Sequence, residues 1–168
     1  MSDSVSARDV LREIKDFYSL QLSKFNEYNE IEKARPMAFL SLWCVFEKAM
    51  KKIGELEKRR SLRENLCLWI EYLDGGLPKT PKEIKNFSVE FNSIPEIALI
   101  ETYLGELPAI IKNVHNPKNK YRRARNDLAH KVEFISREET FNKYIDCIKR
   151  ATDETIKLLE AKVKNDNK

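Results

Sequence analysis

The chain has few of the residues that build disulfide or metal sites: 3 Cys and 2 His among 168 residues. The cysteines, Cys44, Cys67 and Cys147, are odd in number and far apart, which predicts buried free thiols in a reducing compartment. No paired Cys or His cluster supports a structural zinc site. We therefore expect neither a metal nor another cofactor.

Long apolar runs are also missing from the sequence. No run approaches the roughly 18 apolar residues that crossing a bilayer requires. Residues 1–6 lack the basic start and apolar run of a signal peptide. The sequence thus predicts a cytoplasmic protein with no membrane partner.

Apolar residues recur instead at helical spacing through a chain that is 35% charged and contains only 4 Gly. We expect one all-α domain over 1–168, with Trp43 and Phe46 in its core. Helices are predicted over 6–30, 35–54, 62–73, 96–114 with an interruption at Gly105, 117–132 and 136–163. A capping box of Ser6 and Asp9 begins the first helix, and Gly54 is a candidate stop for the second, although residues 55–60 can continue it.

Two further segments have less regular patterns. Residues 77–114 are interpreted as an elaboration packed on the main bundle, and 164–168 as a disordered tail. His115 precedes a Pro turn and is expected in a surface loop.

The motif with the clearest chemistry is the hexapeptide Arg125–His130. An always-charged guanidinium can neutralise charge at a phosphodiester, and an imidazole can move a proton near neutral pH. Arg125 and His130 lie about 140° apart around a helix, so two copies facing each other across a two-fold axis would bring both to one phosphate more easily than one helix can. Arg123 lies seven residues before His130, which leaves open which arginine acts.

Basic residues surround this motif, with seven Lys or Arg and one acidic residue between Lys112 and Lys131. Such a stretch attracts polyanions, although a solvated helix face has the same composition. The candidate RNA-binding residues are Lys118, Lys120, Arg122, Arg123 and Lys131.

The motif resembles the Arg-Asn-x-x-x-His signature of HEPN-domain proteins, the higher eukaryotes and prokaryotes nucleotide-binding family. Residues 42–47 are similar to that family's early helix, and the similarity extends over about 35–54 and 117–160. The resemblance implies an up-and-down helical bundle with extra short helices inserted before the motif helix. It also implies a homodimer with a composite active site.

For function, the resemblance implies a metal-independent endoribonuclease that acts as a toxin or phage-defence effector, with an antitoxin or defence protein as partner. Arg125 and His130 would be catalytic, and Asn126 would orient the site or hold the RNA backbone. Glu47 would be an acidic partner for an Arg, or alternatively an exposed helix residue. Val132 stands where some toxin members carry a tyrosine that a partner nucleotidyltransferase modifies, which argues against that regulation.

Two other functions fit the same sequence. One is a non-catalytic HEPN-type module that binds RNA, a nucleotide or a protein partner. The other is a dimerisation or adaptor bundle without any nucleic-acid role. His130→Ala distinguishes the first from the nuclease. The substitution would abolish cleavage by a nuclease, but it would leave the fold and the partner binding of a non-catalytic module unchanged. The second predicts weak RNA binding with little dependence on salt.

Overall fold

The computed structural model describes residues 6–73, 94–116, 118, 120–131 and 137–166, with side chains for all of these except 65–73 and 129–131. The α-helices in this part are α1 (Ala7–Asn29), α2 (Arg35–Leu73), α3 (Glu96–Leu104), α4 (Ala109–His115), α5 (Lys120–Lys131) and α6 (Glu138–Asn165). A single 3-10 turn, Glu32–Ala34, joins α1 to α2. The described ranges contain no strand, so the predicted all-α class is confirmed, and two short helices do precede α5.

The first helix begins as its sequence predicts. The Ser6 hydroxyl accepts a hydrogen bond from the Asp9 backbone N–H at 3.2 Å, and the Asp9 carboxylate accepts one from the Ser6 N–H at 3.2 Å. These two bonds satisfy backbone donors that an open helix end would leave unpaired. The apolar face of α1 then buries Val10, Ile14 and Phe25.

The second helix continues through Gly54, so the candidate stop there is wrong and the alternative, continuation through residues 55–60, is confirmed. α2 is one helix of 39 residues, and the separate helix expected over 62–73 is its C-terminal part. Ile53 and Leu56 are both buried. Burial of apolar side chains on each side of Gly54 outweighs the low helix propensity of a single glycine.

The core is centred on α2, which contacts α1, α3 and α6. Phe39 stacks on Trp43 with ring centroids 6.1 Å apart, and Trp43 meets Phe46 at 6.0 Å. Trp43 and Phe46 are each only 1% exposed, which confirms both as core residues. Aromatic side chains of this size bury more apolar area than other residues, so this row holds α2 in the bundle.

Helices α3 and α4, within residues 94–115, contribute apolar side chains to the core. Ile100 of α3 and Ile111 and Val114 of α4 are each 0% exposed. α3 ends at Gly105, and only glycine readily adopts its φ of 91°. The predicted interruption at Gly105 is therefore confirmed. The rest of the predicted elaboration, 77–93, lies outside the described residues.

The last helix extends to Asn165, so Lys164 and Asn165 are helical rather than part of a disordered tail. Val163 packs against the core, and the Lys162 ammonium lies 5.7 Å from the ring centroid of Tyr103. These contacts stabilise the final turn. Residues 167–168 lie outside the described residues.

The free cysteines differ from the expected buried thiols. Cys44 and Cys147 are only half-buried, and the side chain of Cys67 lies outside the described part. Partial burial raises the pKa of the Cys44 thiol because the thiolate is less well solvated there.

Among the described residues, none of the helices has both the length and the apolar character that a membrane span needs.

Candidate functional site

The Arg125 side chain connects α5 to α2. Its Nη2 lies 3.8 Å from Glu47 Oε2, and its Nη1 donates a hydrogen bond to Asn126 Oδ1 at 3.0 Å. The Arg125 and Glu47 side chains are 41% and 36% exposed. A guanidinium placed by one hydrogen bond and one ion pair keeps part of its surface open to solvent, as an anion-binding group requires.

The packing of α5 explains this placement. Tyr121 is buried, and its ring meets Tyr144 of α6 edge-on at 5.0 Å. Ala124 also packs against the core. Arg125 is one turn beyond Tyr121 and therefore lies at the border of the buried face, where its long side chain reaches α2.

A groove adjoins this contact, and we name it the Arg125 groove. Its volume is about 340 Å³. Its walls come from three helices: Gln21, Lys24 and Tyr28 of α1, Met37, Leu40, Ser41, Trp43, Cys44 and Glu47 of α2, and Arg125 of α5. Sites for small ligands typically start at about this volume.

Sequence reasoning missed this groove. The only local signal is the spacing of Gln21, Lys24 and Tyr28 at i, i+3 and i+7, which puts three polar or aromatic residues on one face of α1. That spacing alone does not reveal that the face lies next to Glu47 and Arg125.

The proposed catalytic histidine is placed through its backbone only. His130 lies in α5, one turn beyond Asn126, and its side chain is outside the described part. Because α5 is α-helical from Lys120 to Lys131, the angle of about 140° between positions 125 and 130 applies. The two facing copies themselves stay a prediction.

The predicted RNA-binding residues do not all lie beside Arg125, since positions 120 and 123 are each about 140° or more around α5 from position 125. Lys118, Lys120 and Arg123 are exposed, Arg122 is half-buried, and the Lys131 side chain lies outside the described part. The Lys120 ammonium is directed toward α6, 5.2 Å from the Tyr144 ring centroid. Arg125, by contrast, reaches α2. The structure thus brings Arg125, Asn126 and Glu47 together and leaves the other cations around the helix.

His115 does not occupy the surface loop that the sequence suggested. It is the last residue of α4, its side chain is only 12% exposed, and its Nε2 lies 2.9 Å from Glu96 Oε1. This hydrogen bond is the largest of the effects that lower the pKa of Glu96. The placement differs because Glu96 at the start of α3, 19 residues earlier in the chain, is the partner of His115. Its carboxylate holds the imidazole against the bundle.

Comparison of the chain with protein-family models, curated proteins and solved structures gives no match. The described side chains include no group of three His, Cys, Asp or Glu residues placed to hold a metal ion. The features of the described residues that bear on function are the Arg125 contacts and the groove beside them.

Proposed function

We propose that this protein is a metal-independent endoribonuclease in which Arg125 and His130 are the catalytic residues. The observation that carries the proposal is the position of the Arg125 guanidinium. It is held by Glu47 and Asn126, and it lies at a groove large enough for part of a nucleic-acid strand. A fixed guanidinium binds the phosphoryl oxygens of a phosphodiester and stabilises the charge that develops on them.

In the proposed reaction, the ribose 2′-oxygen attacks the adjacent phosphorus, and the bond from phosphorus to the 5′-oxygen breaks. The 2′-hydroxyl loses its proton and the leaving 5′-oxygen gains one, with the His130 imidazole assisting one of these transfers. Arg125 stabilises the extra negative charge on the phosphoryl oxygens. The products are a 2′,3′-cyclic phosphate and a 5′-hydroxyl, so DNA is not a substrate.

The helix geometry favours a homodimer as the active species. Positions 125 and 130 point about 140° apart on one helix, so Arg125 of one copy and His130 of another reach a shared phosphate more easily. Lys120 and Arg123 of α5, and Lys118 just before this helix, are exposed cations on other sides of the helix than Arg125, and they would add positive charge around the bound strand. The resemblance to HEPN-domain proteins supports the same arrangement and a role as a toxin or phage-defence effector with a regulatory partner protein.

One observation favours a second candidate, a non-catalytic HEPN-type module that binds RNA, a nucleotide or a protein. The ion pair with Glu47 already neutralises part of the Arg125 charge and ties α5 to α2. In that case the pair is structural, and loss of His130 changes neither the fold nor binding.

The deciding experiment incubates purified protein with a mixed RNA pool in EDTA, beside Arg125→Ala, His130→Ala and the matched control Arg123→Ala. Cyclic-phosphate ends from wild type and Arg123→Ala, but from neither of the other two, would support the nuclease. An all-DNA pool cut at a similar rate with the same His130 dependence would contradict it. RNA binding without cleavage, unchanged in His130→Ala, would favour the binding module.

A further inference from the structure

The Arg125 groove has properties that a phosphate contact alone does not need. Its α1 wall presents the half-buried Tyr28, and its rim carries Met37, whose side chain is 50% exposed. An aromatic ring and a polarisable thioether lining the same groove provide apolar surface on which a flat, weakly polar group packs well. Nucleobases are such groups, and stacking on aromatic side chains is how proteins commonly hold single-stranded RNA.

The charges at the groove suit an anionic ligand. Lys24 and Arg125 line it from different helices, and Glu47 is the one acidic group among the lining residues. Lys24 is exposed, and none of the ion pairs between described residues involves it. Two cations against one carboxylate leave a net positive charge at a site of nucleotide size.

The floor of the groove adds a third observation. Trp43 lines the groove and is 1% exposed, yet its Nε1 is buried without a hydrogen-bond partner among the described residues. A buried donor left unpaired costs free energy, so such groups usually have a ligand or water as acceptor.

From these observations we propose that the Arg125 groove binds one nucleotide of single-stranded RNA next to the bond that is cleaved. The base packs on Tyr28 and Met37 above Trp43, and the adjoining phosphate lies between Lys24 and Arg125. The position next to a cleaved bond rests on the proposed ribonuclease function, but binding of the nucleotide can be measured without cleavage. The groove would then determine which nucleotide stands beside the cleavage site.

The test uses the full chain and a pool of 2′-O-methyl hexanucleotides, which lack the attacking hydroxyl and cannot be cut. Cys44 lies in the groove, so its alkylation by iodoacetamide reports occupancy, and the half-buried Cys147 of α6 is an internal control. Addition of the pool should slow alkylation of Cys44 about fivefold or more, as expected if most of the protein is bound. The rate at Cys147 should not change.

Variants then separate the base contact from the phosphate contact. Met37→Glu at the exposed rim and Tyr28→Ala in the wall should each raise the Kd about tenfold, whereas Tyr28→Phe should stay within about twofold. Lys24→Gln should reduce the slope of log K against log salt by about 0.7. Lys51→Gln, an exposed lysine outside the groove, should leave the slope unchanged.

Unchanged Cys44 alkylation together with normal affinity in Met37→Glu would overturn the inference even if RNA cleavage is established. Groove variants that shift the monomer–dimer equilibrium without affecting hexanucleotide binding would also overturn it, because the groove would then be an interface. Protection of Cys44 in a protein that cuts no RNA would support the subsite and contradict the nuclease.

Discussion

Arg125 Nη2 lies 3.8 Å from Glu47 Oε2, and this pair joins the motif helix α5 to the central helix α2. Both side chains are more than a third exposed, so solvent screens their attraction. The pair therefore contributes little to the free energy of unfolding. Its main consequence is the direction in which the guanidinium points.

Glu47→Gln tests this separation of stability from activity. We expect the free energy of unfolding to change by less than about 1 kcal/mol. RNA cleavage should fall about tenfold or more, because a guanidinium displaced from the phosphate stabilises charge less well. Urea unfolding and cleavage rates measure the two effects. The control is Glu13→Gln, which breaks comparable half-exposed contacts with Lys48 and Lys52 but should not slow cleavage.

Two glycine substitutions test how α2 continues and how α3 ends. A Cβ at Gly54 would lie 3.5 Å from Glu96 Cγ, an ordinary packing distance, so Gly54→Ala should stabilise the protein by about 0.5–1 kcal/mol. Gly105→Ala has open space around its Cβ but a φ of 91°, and should destabilise by about 1–2 kcal/mol. Thermal and urea unfolding would measure both. Destabilisation by Gly54→Ala would mean that α2 needs flexibility there.

Local signals predicted much of this fold, and tertiary packing decided the rest. The Ser6 and Asp9 box and the apolar face of α1 depend on residues close in sequence, so the first helix could be predicted. Gly54 also gave a local signal, but burial of Ile53 and Leu56 overrode it. The sequence shows that Ile53 and Leu56 are apolar, but not that tertiary packing buries both of them strongly enough to override the glycine.

The candidate site also has some parts that the sequence predicts and others that only the packing of the helices reveals. The motif 125–130 and the acidic residue Glu47 could be identified from the sequence and the family resemblance. The groove could not be, because Lys24 and Tyr28 on α1 become its wall only when α1 packs beside α2. His115 was misplaced for the same reason, since its partner Glu96 lies 19 residues away.

The contact between His115 and Glu96 makes a prediction about acid stability. The hydrogen bond with His115 holds the pKa of Glu96 below its ordinary value of 4.5, and the charges of Arg122 and Lys58 act in the same direction. Because the folded state favours the carboxylate, the stabilisation is fully present above the unfolded pKa and is lost as the pH falls through the folded one. Glu96→Gln should therefore lose less stability between about pH 6 and pH 3 than wild type does.

Urea unfolding at both pH values measures this difference. The other carboxyl groups with lowered pKa values, those of Asp9, Glu13, Glu101 and Glu160, are the same in both proteins and cancel in the comparison. The Glu96 side chain is 43% exposed, so the difference should be modest. Equal acid losses in wild type and Glu96→Gln would show that the contact is not maintained in solution.

The last prediction concerns which arginine acts on the phosphate. Arg125 lines the groove and contacts Glu47, whereas Arg123 is exposed and is absent from the groove lining. Arg125→Lys keeps the charge but loses the planar fork that would contact Glu47 and a phosphate at the same time in the proposed reaction. We expect RNA cleavage to fall about 100-fold in Arg125→Lys, the scale found when one preorganised donor to a developing oxyanion is removed.

Arg123→Lys and Arg123→Gln are the matched controls, since they alter a neighbouring arginine on the same helix. Arg123→Lys should cleave like wild type, and Arg123→Gln should lose only affinity for RNA, more at low salt than at high salt. Single-turnover cleavage separates these effects, because it measures the chemical step on bound RNA. If Arg125→Lys keeps the full rate while Arg123→Gln loses it, Arg123 is the catalytic arginine and the pair with Glu47 is structural.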